Sequence, residues 1–235
     1  MRFALALAGM AALTFVAPSE ASPQSRPSRS AAKAQQQRDW SRTAAATPQG
    51  GFLVGNPAAA TKIVEYASYT CPHCAHFAAE AKAPLGARIR SGSTSIEYRH
   101  LIRDPLDLAA VIVARCGGAG RFARLHDAIF AGQDVWLGRG AAFAQTNRDT
   151  LAAAAPGAQL RGLAEGSGLL AIGRAQGLTD VALGRCFADR AALDRVIAAA
   201  GSPPAEVTGT PAFFVNGRHT GVHDWTRLRP LLPAR

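Results

Sequence analysis

Beyond residue 50 the chain alternates between two hydrophobic periods. Thr61-Lys62-Ile63-Val64-Glu65-Tyr66-Ala67 is β-branched and aromatic and follows the turn-forming Gly55-Asn56-Pro57, which predicts a strand. A helical stretch runs through Ala75, Phe77, Ala78 and Glu80 towards Ile89, and a second strand is expected from Thr94 to His100. From Pro105 to about Ala200 the period is helical, with Leu108, Ile112 and Cys116 at i, i+4, i+8 and Phe122, Leu125 and Ile129 at i, i+3, i+7. Glycine-rich breaks near 117–120, 138–140 and 166–168 divide this block into several short helices. The strand signal returns from Pro211 to Val215. Asn216-Gly217 then marks a tight hairpin, Arg218-His219-Thr220 the returning strand, and Asp224 to Leu232 a closing helix.

The first fifty residues obey neither period. Met1-Arg2 is followed by fifteen uncharged residues, Phe3 to Ala17, and by Pro18-Ser19-Glu20-Ala21, a pattern expected of a signal peptide ending at Ala21. The run is shorter than the roughly 20 residues a spanning helix needs, so a soluble mature protein is expected, with an uncleaved anchor as the alternative. Residues 22–50 are rich in Ser, Pro, Gln, Ala and Arg and bury too little apolar surface to offset their ordering entropy, which predicts a disordered basic tether.

Composition narrows the classes without naming one. With 235 residues, 48% of them hydrophobic, and four cysteines, the chain is long enough for one core and is neither a miniature disulfide scaffold nor a collagen-like or wholly disordered protein. The formal charge is +10, of which the tether holds +4. Aromatic and basic residues do not interleave as in nucleic-acid readers, so no nucleic-acid partner is expected.

Cys71-Pro72-His73-Cys74, between a predicted strand and a predicted helix, is the first motif that carries chemistry. The first sulfur falls at a helix N-terminus, where unpaired N–H groups and the positive end of the helix dipole favour a thiolate. The second lies one turn inward, within reach of a mixed disulfide on Cys71. Pro72 suits the first helical position, and the ring of His73 is expected to lower the Cys71 pKa. The alternative is metal binding: two cysteines beside His73 and His76 resemble half of a zinc site, or a copper-handling one. A closed zinc site needs four ligands, and the remaining cysteines stand alone at 116 and 186. No metal or organic cofactor is expected.

The run from Ile63 to Cys74, together with Val207-Thr208-Gly209-Thr210-Pro211-Ala212-Phe213-Phe214-Val215-Asn216-Gly217, resembles the DsbA family of thiol:disulfide oxidoreductases. The likeness covers residues 51–235 and implies an α/β thioredoxin fold with an inserted α-helical domain. Its expected parts are 51–104 with the CPHC motif, a helical insertion at 105–203, and 204–235 with a cis-proline. It also implies that Cys71 is the exposed nucleophile, Cys74 the buried resolving thiol, and Pro211 the cis-proline, with Thr210 before it contacting substrate. Glu65 resembles the family's buried acid near the dithiol; strand alternation alone leaves it equally able to face solvent. Some α-proteobacterial members carry an extra disulfide in the helical domain. Of the three pairings open to four cysteines, only 71–74 with 116–186 keeps the motif intact; two buried free thiols at 116 and 186 are the alternative.

The implied function is a periplasmic oxidase that hands a Cys71–Cys74 disulfide to reduced or unfolded exported proteins, works as a monomer and is reoxidised by a membrane redox partner. Thr210 also occurs before the proline in isomerase and reductase branches of the superfamily, so the direction of exchange stays open at this level.

Overall fold

The computed structural model describes residues 38–233; the expected signal peptide and residues 22–37 of the expected tether lie outside the described residues. A six-stranded sheet runs in the order β1 (Ala44–Ala46), β2 (Phe52–Gly55), β4 (Thr94–His100), β3 (Thr61–Ala67), β5 (Ala212–Val215) and β6 (Arg218–His219). Its centre is β3, parallel to β4 on one side and antiparallel to β5 on the other, with Glu65 opposite both Tyr98 and Phe213. A parallel pair needs a crossover, supplied by helix α1 (Pro72–Arg90), which starts five residues after β3 ends. The dithiol motif therefore sits where the central strand hands over to that helix. Phe77, Ala81, Leu85 and Ile89 bury the helix face at i, i+4, i+8 and i+12.

Three features depart from the sequence reading. The break expected near 138–140 lies inside one continuous helix, Gln133–Thr146, where Gly140 packs closely against Leu106. Residues 40–46, expected within the disordered tether, form a 3-10 turn (Trp40–Arg42) and the edge strand β1, while β2 is a strand the hydrophobic pattern did not announce. Their order comes chiefly from the main chain: Ala44, Ala45 and Ala46 pair with Val54, Leu53 and Phe52, and Gly55 N–H donates to the Thr43 carbonyl at 2.9 Å. The Trp40 ring lies over Gly92, whose φ of +79° and lack of a Cβ leave room for it. Burial arguments that count only side chains miss a segment held by pairing with a sheet edge.

Between β4 and β5 the chain is helical: α2 (Pro105–Cys116), α3 (Ala119–Ala131), α4 (Gln133–Thr146), α5 (Arg148–Ala153), α6 (Pro156–Ser167), α7 (Leu169–Ala175), α8 (Asp180–Ala188) and α9 (Arg190–Ala200). Helix α2 is the axis of this block. Ala109, Ala110, Val111, Val113 and Ala114 are wholly buried, as a helix apolar on every side must be, against α3, α6, α7 and α8. Its last residue, Cys116, is disulfide-bonded to Cys186 of α8, 70 positions away, with a Cα–Cα distance of 5.7 Å. After β6 the short helix α10 (Trp225–Leu228) closes against α1 and runs on into a 3-10 turn. Among the described residues no helix is long and apolar enough to cross a membrane.

Candidate active site

Cys71 is the N-cap of α1, with an extended backbone (φ −90°, ψ 118°), and Pro72 occupies the first turn. Both cysteines are thiols in this structure; Cys74 is fully buried as expected, whereas Cys71, expected to be exposed, is only 3% exposed because the cis-proline loop covers its sulfur. Opposite them the Thr210–Pro211 peptide is cis, and the Cys71 thiol donates to the Thr210 carbonyl at 3.3 Å. The cis-proline loop is held in turn by His223, whose Nδ1 donates to the Pro211 carbonyl at 2.8 Å.

The two sulfurs are pushed in opposite directions. The Cys71 pKa falls from 9.0 to about 5, chiefly because the Cys74 thiol donates a hydrogen bond to the thiolate. The Thr210 side chain and the backbone N–H groups of Cys74 and His73 add to this, and burial opposes it. Cys74 is raised far above an ordinary thiol by burial first, then by its bond to Cys71 and the neighbouring negative charge of Glu65. His73 contributes through its backbone N–H while its ring is solvent-exposed, a different route from the ring effect expected from sequence. Pro72 is likewise exposed.

Glu65 does not face solvent. It is 1% exposed, its Oε1 has no hydrogen-bond partner, and burial, reinforced by the Cys71 charge, raises its pKa to about 8. It lines a cavity of about 290 Å³ between α1 and α3 that is also bordered by Phe77, Leu85, Tyr98, His126 and Asp127. A carboxyl that stays protonated at pH 7 beside a buried thiol is equipped to pass a proton to it.

Four polar residues that sequence reasoning did not single out hold the loop leading into Cys71. Asp107, wholly buried, accepts from Ser68 Oγ at 2.6 Å and Tyr69 N–H at 2.8 Å, and also from Arg103 N–H at 3.0 Å. Asp104 accepts from Thr70 Oγ1 at 2.8 Å and caps α2 by accepting from Asp107 N–H. Gln133, 2% exposed, donates through Nε2 to the carbonyls of Tyr69 (2.7 Å) and Cys71 (2.9 Å). His126 meets the Tyr69 hydroxyl at 2.9 Å, and burial lowers its pKa to about 3. Asp104-Pro105 carried a helix-start signal, an N-cap followed by proline, but nothing local linked it to a loop 34 residues upstream.

Cys71, Cys74, Glu65, Thr210 and Pro211 thus converge on one site, whereas Cys116 and Cys186 are bonded to each other within the helical block. Among the described residues no three His, Cys, Asp or Glu side chains are grouped as a metal site would require.

A dithiol at a helix start, facing a cis-proline on a sheet interrupted by a helical insertion, defines a thioredoxin-fold chain with an inserted helical domain. Residues 46–233 match the thioredoxin family, and the chain belongs to it. It is similar to the crystal structure of a protein-disulfide isomerase from Novosphingobium aromaticivorans, at 33% identity and TM-score 0.70 over 76% of this chain and 93% of that one. The α-DsbA1 of Wolbachia pipientis shares the fold at 21% identity and TM-score 0.62, covering 80% and 90% of the two chains. A Rickettsia bellii protein provisionally named a protein-disulfide oxidoreductase is 28% identical over 73% of this chain; the match spans 59% of that protein's length.

Proposed function

We propose that this chain is a thiol:disulfide oxidoreductase that donates a Cys71–Cys74 disulfide to reduced exported proteins. The observation that carries this reading is the opposite displacement of the two sulfurs, Cys71 down to about 5 and Cys74 upward. A thiolate so stabilised is a good leaving group and favours the reduced form of the protein, which makes the disulfide form an oxidant.

The exchange balances as follows. A substrate thiolate attacks the Cys71 sulfur, the Cys71–Cys74 bond breaks, and the electron pair leaves on Cys74, which takes a proton from Glu65. A second substrate thiolate then attacks the substrate sulfur of the mixed disulfide and releases Cys71 as its stable thiolate. The substrate loses two electrons and gains a disulfide; the protein gains two electrons. An extended substrate strand beside Thr210 and Pro211 keeps its sulfur in line with Cys71. A membrane electron acceptor would return the dithiol to its disulfide.

Export to the periplasm is supported by the signal-like start of the sequence and by the Cys116–Cys186 disulfide, a bond that persists in oxidising compartments. A second reading, disulfide isomerisation, is favoured by the likeness to the Novosphingobium protein-disulfide isomerase. It uses the same Cys71 thiolate but starts from the reduced protein and attacks a substrate disulfide.

A glutathione titration of the Cys71/Cys74 couple tests the assignment. An oxidising potential, near the roughly −120 mV end of the thioredoxin-fold range, supports donation, and one near the roughly −270 mV end overturns it. Cys71→Ser is expected to abolish oxidation of a reduced, unfolded protein, and full activity in that variant would remove the mechanism.

A further inference from the structure

We propose that the helical insertion is the positioning device for the nucleophile: Gln133 of α4 and Asp107 of α2 grip the Ser68–Cys71 loop from two sides and fix where the Cys71 sulfur sits. The inference rests on the oxidoreductase reading and assigns a role to residues outside the thioredoxin core. Both side chains belong to the insertion, both are almost wholly buried, and their bonds go mainly to the loop. Asp107 takes the Tyr69 N–H and the Ser68 hydroxyl; Gln133 gives its two amide protons to the Tyr69 and Cys71 carbonyls. The core itself offers this loop less: Cys71 N–H donates to the Ser68 carbonyl at 3.2 Å, and Ala75 N–H reaches the Cys71 carbonyl at 3.3 Å. Thr70 is tied to the same insertion through Asp104.

The grip matters because every group that favours the Cys71 thiolate is short-range. The Cys74 thiol, the Thr210 side chain and the N–H groups of His73 and Cys74 must all lie within hydrogen-bond distance of one sulfur. Pre-organised donors stabilise charge without reorganising, and a loop free to shift loses that advantage. In the disulfide form the Cys71 sulfur is tethered covalently to Cys74 and needs the clamp less. Loosening it therefore weakens the thiolate selectively, which raises the Cys71 pKa and makes the protein a poorer oxidant.

Gln133→Met keeps the side-chain length and removes both donors. Ser68→Ala removes one of Asp107's bonds to the loop. Gln133→Met replaces one uncharged side chain by another, so a shift in its thiolate titration reports geometry. The experiment is the pH dependence of thiolate ultraviolet absorbance in the full chain with Cys74→Ser, alongside the glutathione equilibrium of the two-cysteine protein and its melting temperature. The expected result is a Cys71 pKa raised by about one unit in Gln133→Met, a tenfold loss of thiolate below the midpoint, and a smaller rise in Ser68→Ala. The glutathione equilibrium is expected to move about tenfold towards the protein disulfide in Gln133→Met. A purely structural role would lower the melting temperature and leave both redox readouts in place; that outcome in folded variants overturns the proposal. If Gln133→Met does not fold, Ser68→Ala alone decides between the two results. A parent protein whose Cys71 titrates near 9 and does not exchange with glutathione overturns the oxidoreductase reading instead, before any clamp variant is compared.

Discussion

The thiolate of Cys71 can be tested by removing its principal donor. The Cys74 thiol is the largest cause of the fall from 9.0 to about 5. Cys74→Ala deletes that donor, whereas Cys74→Ser keeps an O–H in nearly the same place. A hydrogen bond to a charged group contributes about 1.5–3 kcal/mol, and one pKa unit corresponds to about 1.36 kcal/mol, so the alanine variant is expected to titrate one to two units higher, between about 6 and 7. The serine variant is expected to stay near 5. The assay is thiolate absorbance of the reduced protein against pH with Cys71→Ser as the blank. Cys116 and Cys186 are bonded to each other and silent, and Cys74 is held protonated throughout the range. At pH 7 a group titrating near 5 is about 99% thiolate, against about 1% at 9, so the signal separates the two cases clearly. The sign of the linkage adds a second readout. The folded pKa lies below the unfolded one, so reduced protein has this stabilisation above about 9 and loses it as pH falls through about 5. The oxidised protein carries no such dependence, and its stability relative to the reduced form therefore improves in acid. A wild-type midpoint near 9, or identical midpoints in the alanine and serine variants, would refute the assignment of the shift to the Cys74 donor.

Three further outcomes follow from the same structure. Glu65 titrates near 8 when folded and 4.5 when not, so its contribution is fully present below about 4.5 and lost as pH rises through about 8. Glu65→Gln is expected to gain urea resistance over wild type across that window and to slow the breaking of the Cys71–Cys74 bond at pH 7; stopped-flow exchange together with urea melts at several pH values checks both. Removing the Cys116–Cys186 bridge by double alanine substitution frees a 70-residue loop, which the chain-entropy relation values at about 4 kcal/mol. With a urea slope of about 2 kcal/mol per molar, the unfolding midpoint should fall by about 2 M, and a loss below about 0.5 M would contradict that account. His126 is depressed to about 3 by burial, so its stabilising contribution is present above 6.5 and lost as pH falls towards 3. That is about 2 kcal/mol between pH 7 and pH 5, and His126→Phe should flatten this slope in acid-unfolding curves.

Much of the fold was legible because its signals are local. The β-branched run at 61–67, the dithiol at a strand-to-helix junction, the helical period from 105 to 200 and the Asn216-Gly217 turn each announce themselves within a dozen residues, and the observed elements fall on them. Strand β1 did not, because three alanines carry no β signal and their order comes from the free edge of β2. Glu65 marks the boundary between the two kinds of evidence. Alternation along β3 allowed either face, and only the helices that fold over it, bringing Phe77 and Leu85 of α1 and His126 of α3 around the same cavity, take it out of solvent. The clamp lies further beyond local reading. Asp107 looks like an ordinary first-turn acid and Gln133 like an ordinary surface residue at a helix start, yet folding brings them 38 and 62 residues across the sequence to Tyr69 and Cys71. The chemistry of a C-x-x-C motif is written in four residues. How firmly its first sulfur is held depends on an insertion whose hydrophobic periodicity speaks only of its own core, so two proteins with identical motifs can differ in redox behaviour through residues such as these.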